Sequence, residues 1–391
     1  MNGTSDYRRA LLNPHYDEQP RVLEERRIPL SFANPYGPRM SEYEQVLLYN
    51  QPNPDWIPGG LGVGGWSTSF PGGRGTWENY FTEAKASDWF VFRDPEGRWQ
   101  RPYVAEKADE WREFQRLVAT AAKRRLHRTL DAEWTARVLT GHLGALALHD
   151  YGMFMALGAP IRDCLVDTLR AAIVTSSLDF LDNAQMIQAE KLYLAQVSNQ
   201  AKADVAPSKA LWHEDRAWRG ARRFVEEVWG ETYDHIEILF AIHVIHEPLF
   251  GRLVREGFFS RHAAEHGDFI TPRVLWYSIR GAEAACGWTA ELFARTLAAD
   301  PTFGEYNKRL MCFWAEKWLP LELEALADAR ELWNVTATLR RPAGGARPAF
   351  SATLDAIVED WRSKYAAIFD GEIDVGGIPR ADAAPAGELV A

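Results

Sequence analysis

VAEKADEWREFQRLVATAAKR, residues 104–124, decides the fold class. Trp111, Phe114, Leu117, Val118, Ala121 and Ala122 recur there at the three- and four-residue spacing of one helix face. Arg112, Arg116, Lys123 and Arg124 turn away from that face. The same period returns in segment after segment to about residue 333. Its interruptions are Gly158-Ala159-Pro160, the polar stretch Asn199–Ser208, His266-Gly267-Asp268 and Ala299-Asp300-Pro301. No segment alternates apolar and polar residues over the length of a strand. The expected class is therefore all-α, with a bundle of long helices over 104–339. RRPAGGARP at 340–348 reads as a linker, and a C-terminal unit at 349–370 carries one more amphipathic helix from about Ser351 to Phe369. The Ala-, Gly- and Pro-rich tail, 371–391, is expected to be flexible.

Upstream of the helices the chain changes character. Eleven of its 21 prolines and eleven of its 29 glycines precede residue 104, which breaks any helical period there. Only Ser41–Tyr49 keeps one, with Ser41 placed to cap a short helix. Residues 1–103 thus read as an extended arm. Five of the 16 tryptophans lie in it: Trp56, Trp66, Trp77, Trp89 and Trp99. Large aromatic rings need burial, and an irregular segment cannot build a core of its own. The arm is expected to lie along another surface, with those five tryptophans as candidate interface residues. The alternative is that it folds back on its own bundle.

Composition narrows the function classes. A net charge of -10 disfavours nucleic-acid backbones and anionic membranes as main partners. No run approaches the ~20 apolar residues that a membrane helix needs. Cys164, Cys286 and Cys312 are isolated and odd in number, which suits a reducing compartment and leaves no cysteine-built zinc site. The polar N-terminus has no apolar signal core, so a cytoplasmic location is expected.

Two motifs have chemical readings. Gly60-x-Gly62-x-x-Gly65 matches a dinucleotide fingerprint as a string, but Pro58 precedes it and Trp66-Ser-Thr-Ser-Phe-Pro71 follows. The fingerprint needs a strand before it and a helix after it, so this one reads as a turn. His243, His246 and Glu247 share an apolar helix, and residues three apart lie on one face. They read either as metal ligands or as core histidines satisfied by carbonyls and carboxylates. The second reading is preferred because no ligand from a facing helix can be assigned.

An absence in the sequence weighs more. Long-helix bundles commonly house carboxylate-bridged di-iron centres, built from one Glu on each of two helices and a Glu-x-x-His pair on each of two others. None of the ten histidines has Glu or Asp three residues before it.

Several stretches carry a family resemblance. SEYEQVLLYNQPNPDWIPGGL (41–61), GGRGTWEN (72–79), DWFVFRDPEGRWQRPYV (88–104) and DNAQMIQ (182–188) resemble the hydroxylase beta chains of soluble methane monooxygenase-type, bacterial multicomponent di-iron monooxygenases. The similarity continues in order through LFGRLVREGFFSR (249–261), FITP (269–272) and EYNKRLMCFWAEKWL (305–319), and thins before about residue 30 and after about 340. It implies a ferritin-like, ribonucleotide reductase-like fold paired with a catalytic alpha chain that holds the iron. Carried onto this sequence, the first Glu-x-x-His pair of the alpha chain falls on Asn183 and Met186. The second, after the Gly267-Asp268-x-Ile270-Thr271-Pro272 signature, falls on Glu283 and Cys286. One lone carboxylate falls near Met153 and the other near Glu247 or Pro248, in a register left open.

Met153, Asn183, Met186 and Cys286 would then be vacated ligand positions and Glu283 a retained one, paired or near water. The resemblance implies no catalytic residue, metal or cofactor in this chain. It implies a di-iron alpha chain, a cofactorless regulatory protein and an NADH-dependent reductase with FAD and a 2Fe-2S cluster. The hydroxylase would join two alpha and two beta chains, with or without two gamma chains, and oxidise methane, short alkanes or alkenes. Two other readings remain: a metal-binding helical oxygenase chain with unusual ligands, and a free-standing helical interaction protein.

Overall fold

The computed structural model describes residues 37–49, 82–164, 166–339, 349–365 and 368, and none of these residues is in a strand. The described helices are α1 (Glu42–Tyr49), α2 (Gln100–Arg124), α3 (Leu143–Ala156), α4 (Gly158–Asp163), α5 (Asp167–Val197) and α6 (Ala206–Glu214). They continue with α7 (Arg216–Gly230), α8 (His235–Leu239), α9 (Thr271–Glu291), α10 (Gly304–Ala337) and α11 (Phe350–Tyr365). Wider π-helical turns lead into α3 (Trp134–His142), extend α8 (Phe240–Gly251, then Leu253–Ser260) and end α9 (Leu292–Ala298). None of the described helices is long and apolar enough to cross a membrane.

Local chemistry accounts for many of the ends. Ser41 and Glu44 form a reciprocal capping box: the Ser41 hydroxyl accepts from the Glu44 N–H and the Glu44 carboxylate accepts from the Ser41 N–H. Helix α2 begins at Gln100 rather than Val104 because Pro102 sits in its first turn, where a missing N–H leaves no bond unmade. Asp268 holds the start of α9, accepting from the Ile270 and Thr271 N–H groups and from Trp134 Nε1. Gly267 before it has φ +69°, and a Cβ there would lie 2.1 Å from the Thr129 carbonyl oxygen. Gly158-Ala159-Pro160, read as an interruption, starts the short α4 instead.

Six long segments close into a ring around the core. Helix α3 packs on α5, α5 on α9, α9 on the π-helical stretch 240–251, that stretch on α10, α10 on α7, and α7 back on α3. Gly220 permits the close α7–α10 approach, since a Cβ there would meet the Ala325 backbone at 2.5 Å. The stripe that α2 buries is Tyr103, Lys107, Glu110, Phe114 and Ala121, so it includes two charges that the hydrophobic pattern did not mark. Lys107 bonds Glu110 at 2.8 Å and Asp179 of α5 at 2.9 Å, which makes its burial tolerable. Ala122, placed on the inward face by its spacing, is exposed.

The stretch 82–99 of the arm lies on this same bundle. Asp234 accepts from the Glu83 N–H at 2.7 Å, and Asp300 accepts from the Ser87 N–H at 2.6 Å. The Asn307 side chain accepts from the Lys85 N–H and donates to its carbonyl. Trp89 is half-buried against the core and Trp99 precedes α2. Trp56, Trp66 and Trp77 lie outside the described residues, as do 340–348 and the tail.

The C-terminal helix has a specific task. Pro248 lies inside the π-helical stretch and has no N–H to give. A residue there would bond the Val244 carbonyl in α register or the His243 carbonyl in π register. Both carbonyls are met from α11: Trp361 Nε1 donates to Val244 O at 2.6 Å, and Tyr365 Oη donates to His243 O at 3.1 Å. All four residues are buried, so deleting either donor takes a hydrogen bond from a dry carbonyl. Tyr365→Phe is expected to lower stability by about 1–3 kcal/mol, read by denaturant unfolding. An unchanged midpoint would show that the bond contributes nothing.

Candidate functional site: a buried row of histidines and carboxylates

The ring of helices encloses ionisable groups where an apolar core would ordinarily be. Asp150 and His149 come from α3, His246 and Glu247 from the π-helical stretch, Arg255 from the next π-helical turns, and Glu322 from α10. All six are essentially without solvent exposure. His149 Nδ1 lies 2.9 Å from Asp150 Oδ1, and His149 Nε2 lies 2.9 Å from His246 Nε2. His246 Nδ1 lies 2.6 Å from Glu322 Oε2, while Glu322 Oε1 accepts from the Phe250 N–H at 3.0 Å. Arg255 donates to Asp150 and, at 2.8 Å, to Glu247. Gly251 leaves room for that pairing, since a Cβ there would lie 2.6 Å from the guanidinium.

Burial dominates the electrostatics, because a charge in a dry interior forfeits its hydration. It pushes Asp150 up to about 6, against the pull of Arg255. It raises Glu322, and it drives His149 well below its ordinary value with help from the neighbouring His246. His243 is separated from this row. Its ring stacks on Phe180 and meets the edge of Trp288, and neither ring nitrogen has a hydrogen-bond partner. Burial alone takes it down to about 3.

The sequence placed His243, His246 and Glu247 on one face; the structure divides them. The wider π-helical turn spreads residues three apart around the axis. His246 faces α3 and α10, Glu247 faces Arg255, and His243 faces aromatic rings. Asp150, His149, Arg255 and Glu322 were not singled out from sequence. They are spread over three helices, and apart from the adjacent His149 and Asp150 no local spacing links them; the one sequence signal nearby was Pro248 inside an otherwise helical run.

The positions aligned with di-iron ligands are only partly grouped: Glu247, Pro248, Glu283 and Cys286 border one cavity. Met153 and Met186 are buried as core, and the Asn183 amide donates to Ser278 at 2.8 Å. Cys286 lies beside that cavity, which is about 130 Å³ and is also lined by Arg255, Trp361 and Lys364. Burial pushes its thiol up to about 11, so it remains protonated at neutral pH. Glu283 is exposed at this cavity. Among the described residues, no three His, Cys, Asp or Glu side chains are grouped to hold a metal ion. The residues of the row do not fit a di-iron centre: His149 and His246 are engaged at both nitrogens, and His243 stands apart among aromatic rings.

An unpartnered imidazole is a poor use of a core position. His243→Phe is expected to raise stability by about 1 kcal/mol at neutral pH, because a dry polar group is replaced by an apolar ring. Acid should widen the difference. The unfolded wild type protonates His243 near its ordinary 6.5, whereas the folded protein resists until about 3. Stability from this group is therefore complete above 6.5 and declines by about 1.4 kcal/mol per pH unit below it. Unfolding at pH 7 and pH 5 measures it; equal acid sensitivity in the two proteins would refute the assignment.

Comparison with known proteins adds what the geometry alone does not. Residues 66–302 match the family model described as Methane/Phenol/Alkene Hydroxylase. The chain is 40% identical over 297 residues to the methane monooxygenase component A beta chain of Methylosinus trichosporium, covering 76% of this chain and 75% of that one. It is 35% identical over 351 residues to the corresponding chain of Methylococcus capsulatus (Bath), covering 90% and 89%. To the propane 2-monooxygenase hydroxylase small subunit of Mycolicibacterium smegmatis it is 28% identical, over 84% of this chain and 88% of that one. Among solved structures, toluene 4-monooxygenase with toluene bound superposes with a TM-score of 0.62 at 16% identity, over 75% of this chain and 94% of that one. Phenol hydroxylase from Pseudomonas sp. OX1 superposes at 0.58 and 19%, over 72% and 80%; these two likenesses speak to the fold alone. A model match across more than half the chain, with two relatives above one-third identity over three-quarters of it or more, decides the matter: this chain belongs to the methane/phenol/alkene hydroxylase family.

Proposed function

We propose that this chain is the non-catalytic beta subunit of a multicomponent monooxygenase hydroxylase that oxidises small hydrocarbons. The observation that carries the reading is the 35–40% identity to methane monooxygenase component A beta chains over most of the length, with propane 2-monooxygenase small subunits next. The interior chemistry supports the division of labour. Arg255 is a fixed cation in the middle of the bundle, and the histidines beside it are tied to carboxylates and to each other. A cation there opposes the binding of divalent metal. Asn183, Met186 and Cys286 stand where the family resemblance puts ligands, and each is instead packed or hydrogen-bonded as core. The catalytic iron then belongs to the alpha chain. The reductase, with its FAD and 2Fe-2S cluster, and the small regulatory protein act on that chain. Two alpha and two beta chains form the hydroxylase, with or without gamma chains, in the cytoplasm.

In this reading the chain's work is mechanical. The six-helix ring is closed by internal ion pairs and by α11, which gives a stiff body for the alpha chain to pack against. The tryptophans at 56, 66 and 77 supply the anchors of the contact. Large rings at the centre of an interface commonly dominate its energy, at about 2 kcal/mol or more each.

Expression beside its large partner tests both points. Iron measured after the chains are separated should follow the large chain, and Trp77→Ala should weaken the association of the two chains without unfolding this one. Two irons held by this chain alone would overturn the proposal.

A further inference from the structure

The row Asp150, His149, His246, Glu322 contains three polar contacts, at 2.9, 2.9 and 2.6 Å. Each contact at such a distance requires one proton between its two atoms. Two neutral imidazoles carry two protons and two ionised carboxylates carry none, so the row is one proton short. Without a third, two bare nitrogens or a bare nitrogen and a carboxylate would face each other in the dry interior. The third proton has to reside on a ring or on a terminal carboxyl.

The surroundings of the two ends differ. Asp150 takes a direct bond from Arg255, which is also bonded to Glu247. Glu322 has no cationic side chain bonded to it among the described residues; its other oxygen accepts only the Phe250 N–H. The remaining walls are the rings of Phe224 and Phe250 against His246 and of Trp212 against His149. An imidazolium–carboxylate pair at that end would be a second buried ion pair with little to solvate it, and such pairs often fail to recover their desolvation. We propose that Glu322 is a neutral carboxylic acid at neutral pH, binding one proton on folding and donating it to His246 Nδ1. His246 then donates from Nε2 to His149 Nε2, and His149 donates from Nδ1 to ionised Asp150. The row has a fixed polarity, with its neutral end on α10 and its ionised end on α3 beside Arg255. Burial raises Glu322 and lowers His149, both in the direction this arrangement needs.

The bound proton couples the closure of three helices to pH. A group whose folded pKa is raised gives stability that is complete below its unfolded pKa and is lost as pH rises through the folded one. For Glu322 the window opens at the ordinary carboxylate range and extends upward past neutrality. Glu322→Gln supplies a permanent donor to His246 Nδ1 and keeps an acceptor for Phe250, so it reproduces the protonated form without the proton. In the full-length chain this variant is expected to match the wild-type unfolding constant near the ordinary carboxyl value of 4.5. Above it the wild-type constant should rise relative to the variant by about tenfold per pH unit until Glu322 ionises in the folded state, so the variant is the more stable of the two at pH 7. Asp150→Asn, which removes the charge that answers Arg255, should raise the unfolding constant about a hundredfold or more. If Glu322→Gln fails to fold, is as damaged as Asp150→Asn, or shows no pH-dependent difference from wild type, the proposal is overturned. A second measurement needs no variant. In wild-type protein labelled with 15N-histidine, His149 should appear as the Nδ1–H tautomer and His246 as the Nε2–H tautomer, with a coupling across the Nε2–Nε2 bond. Two attached protons on His246 would place the charge on the ring and reject the assignment.

Discussion

A guanidinium in the centre of a protein must be answered by carboxylates, and much of this bundle is arranged around that requirement. Arg255 reaches Asp150 on α3 and Glu247 on its own helical stretch, all three out of water. Breaking such a group by removing one member leaves the other charges dry, at a cost of about 3–5 kcal/mol. Asp150 extends the group to His149, and the two imidazoles carry it across to Glu322 on α10. Three elements distant in sequence are thus fixed in register by polar contacts with narrow geometric tolerance. Packed apolar side chains alone would tolerate sliding and repacking more readily.

The second constraint is the backbone of the π-helical stretch. Pro248 removes one N–H from the middle of the core, and α11 returns from the end of the chain to donate to the two carbonyls that this N–H could have met. That return also forms one wall of the cavity beside Cys286 and Glu283, the part of the bundle that the family resemblance aligns with a metal-ligand pair. Chemistry and architecture converge there. The bundle is held there by the Arg255 ion pairs, the row of histidines and the C-terminal helix. This is what a subunit requires when its task is to be a firm surface for another chain.

The fold class was legible because it depends on local periodicity. The stripe through Phe114 and Ala121, the Ser41 cap and the break at His266-Gly267-Asp268 were read from the sequence and all use contacts within a few residues. Where the sequence misled, a longer-range contact had intervened. The hydrophobic pattern did not mark Lys107 and Glu110, but Asp179 on another helix, bonded to Lys107, makes them core residues. Pro102 looked like part of the arm, yet it is compatible with the first turn of α2. The resemblance identified the family correctly, through an ordered set of short matches that the comparisons extend over most of the chain.

The sequence by itself determined an all-helical chain with isolated cysteines, a Trp-rich arm and no Glu-x-x-His pair, since these follow from residue identity and spacing. Tertiary structure alone decided what the buried polar residues do. His243 and His246 are three residues apart and equally apolar in their surroundings on the page, yet one ends among aromatic rings and the other in a proton-bearing row. The reason is that a side chain's protonation and role are set by the dielectric and the donors around it. Those are supplied by residues 97 and 76 positions away along the chain.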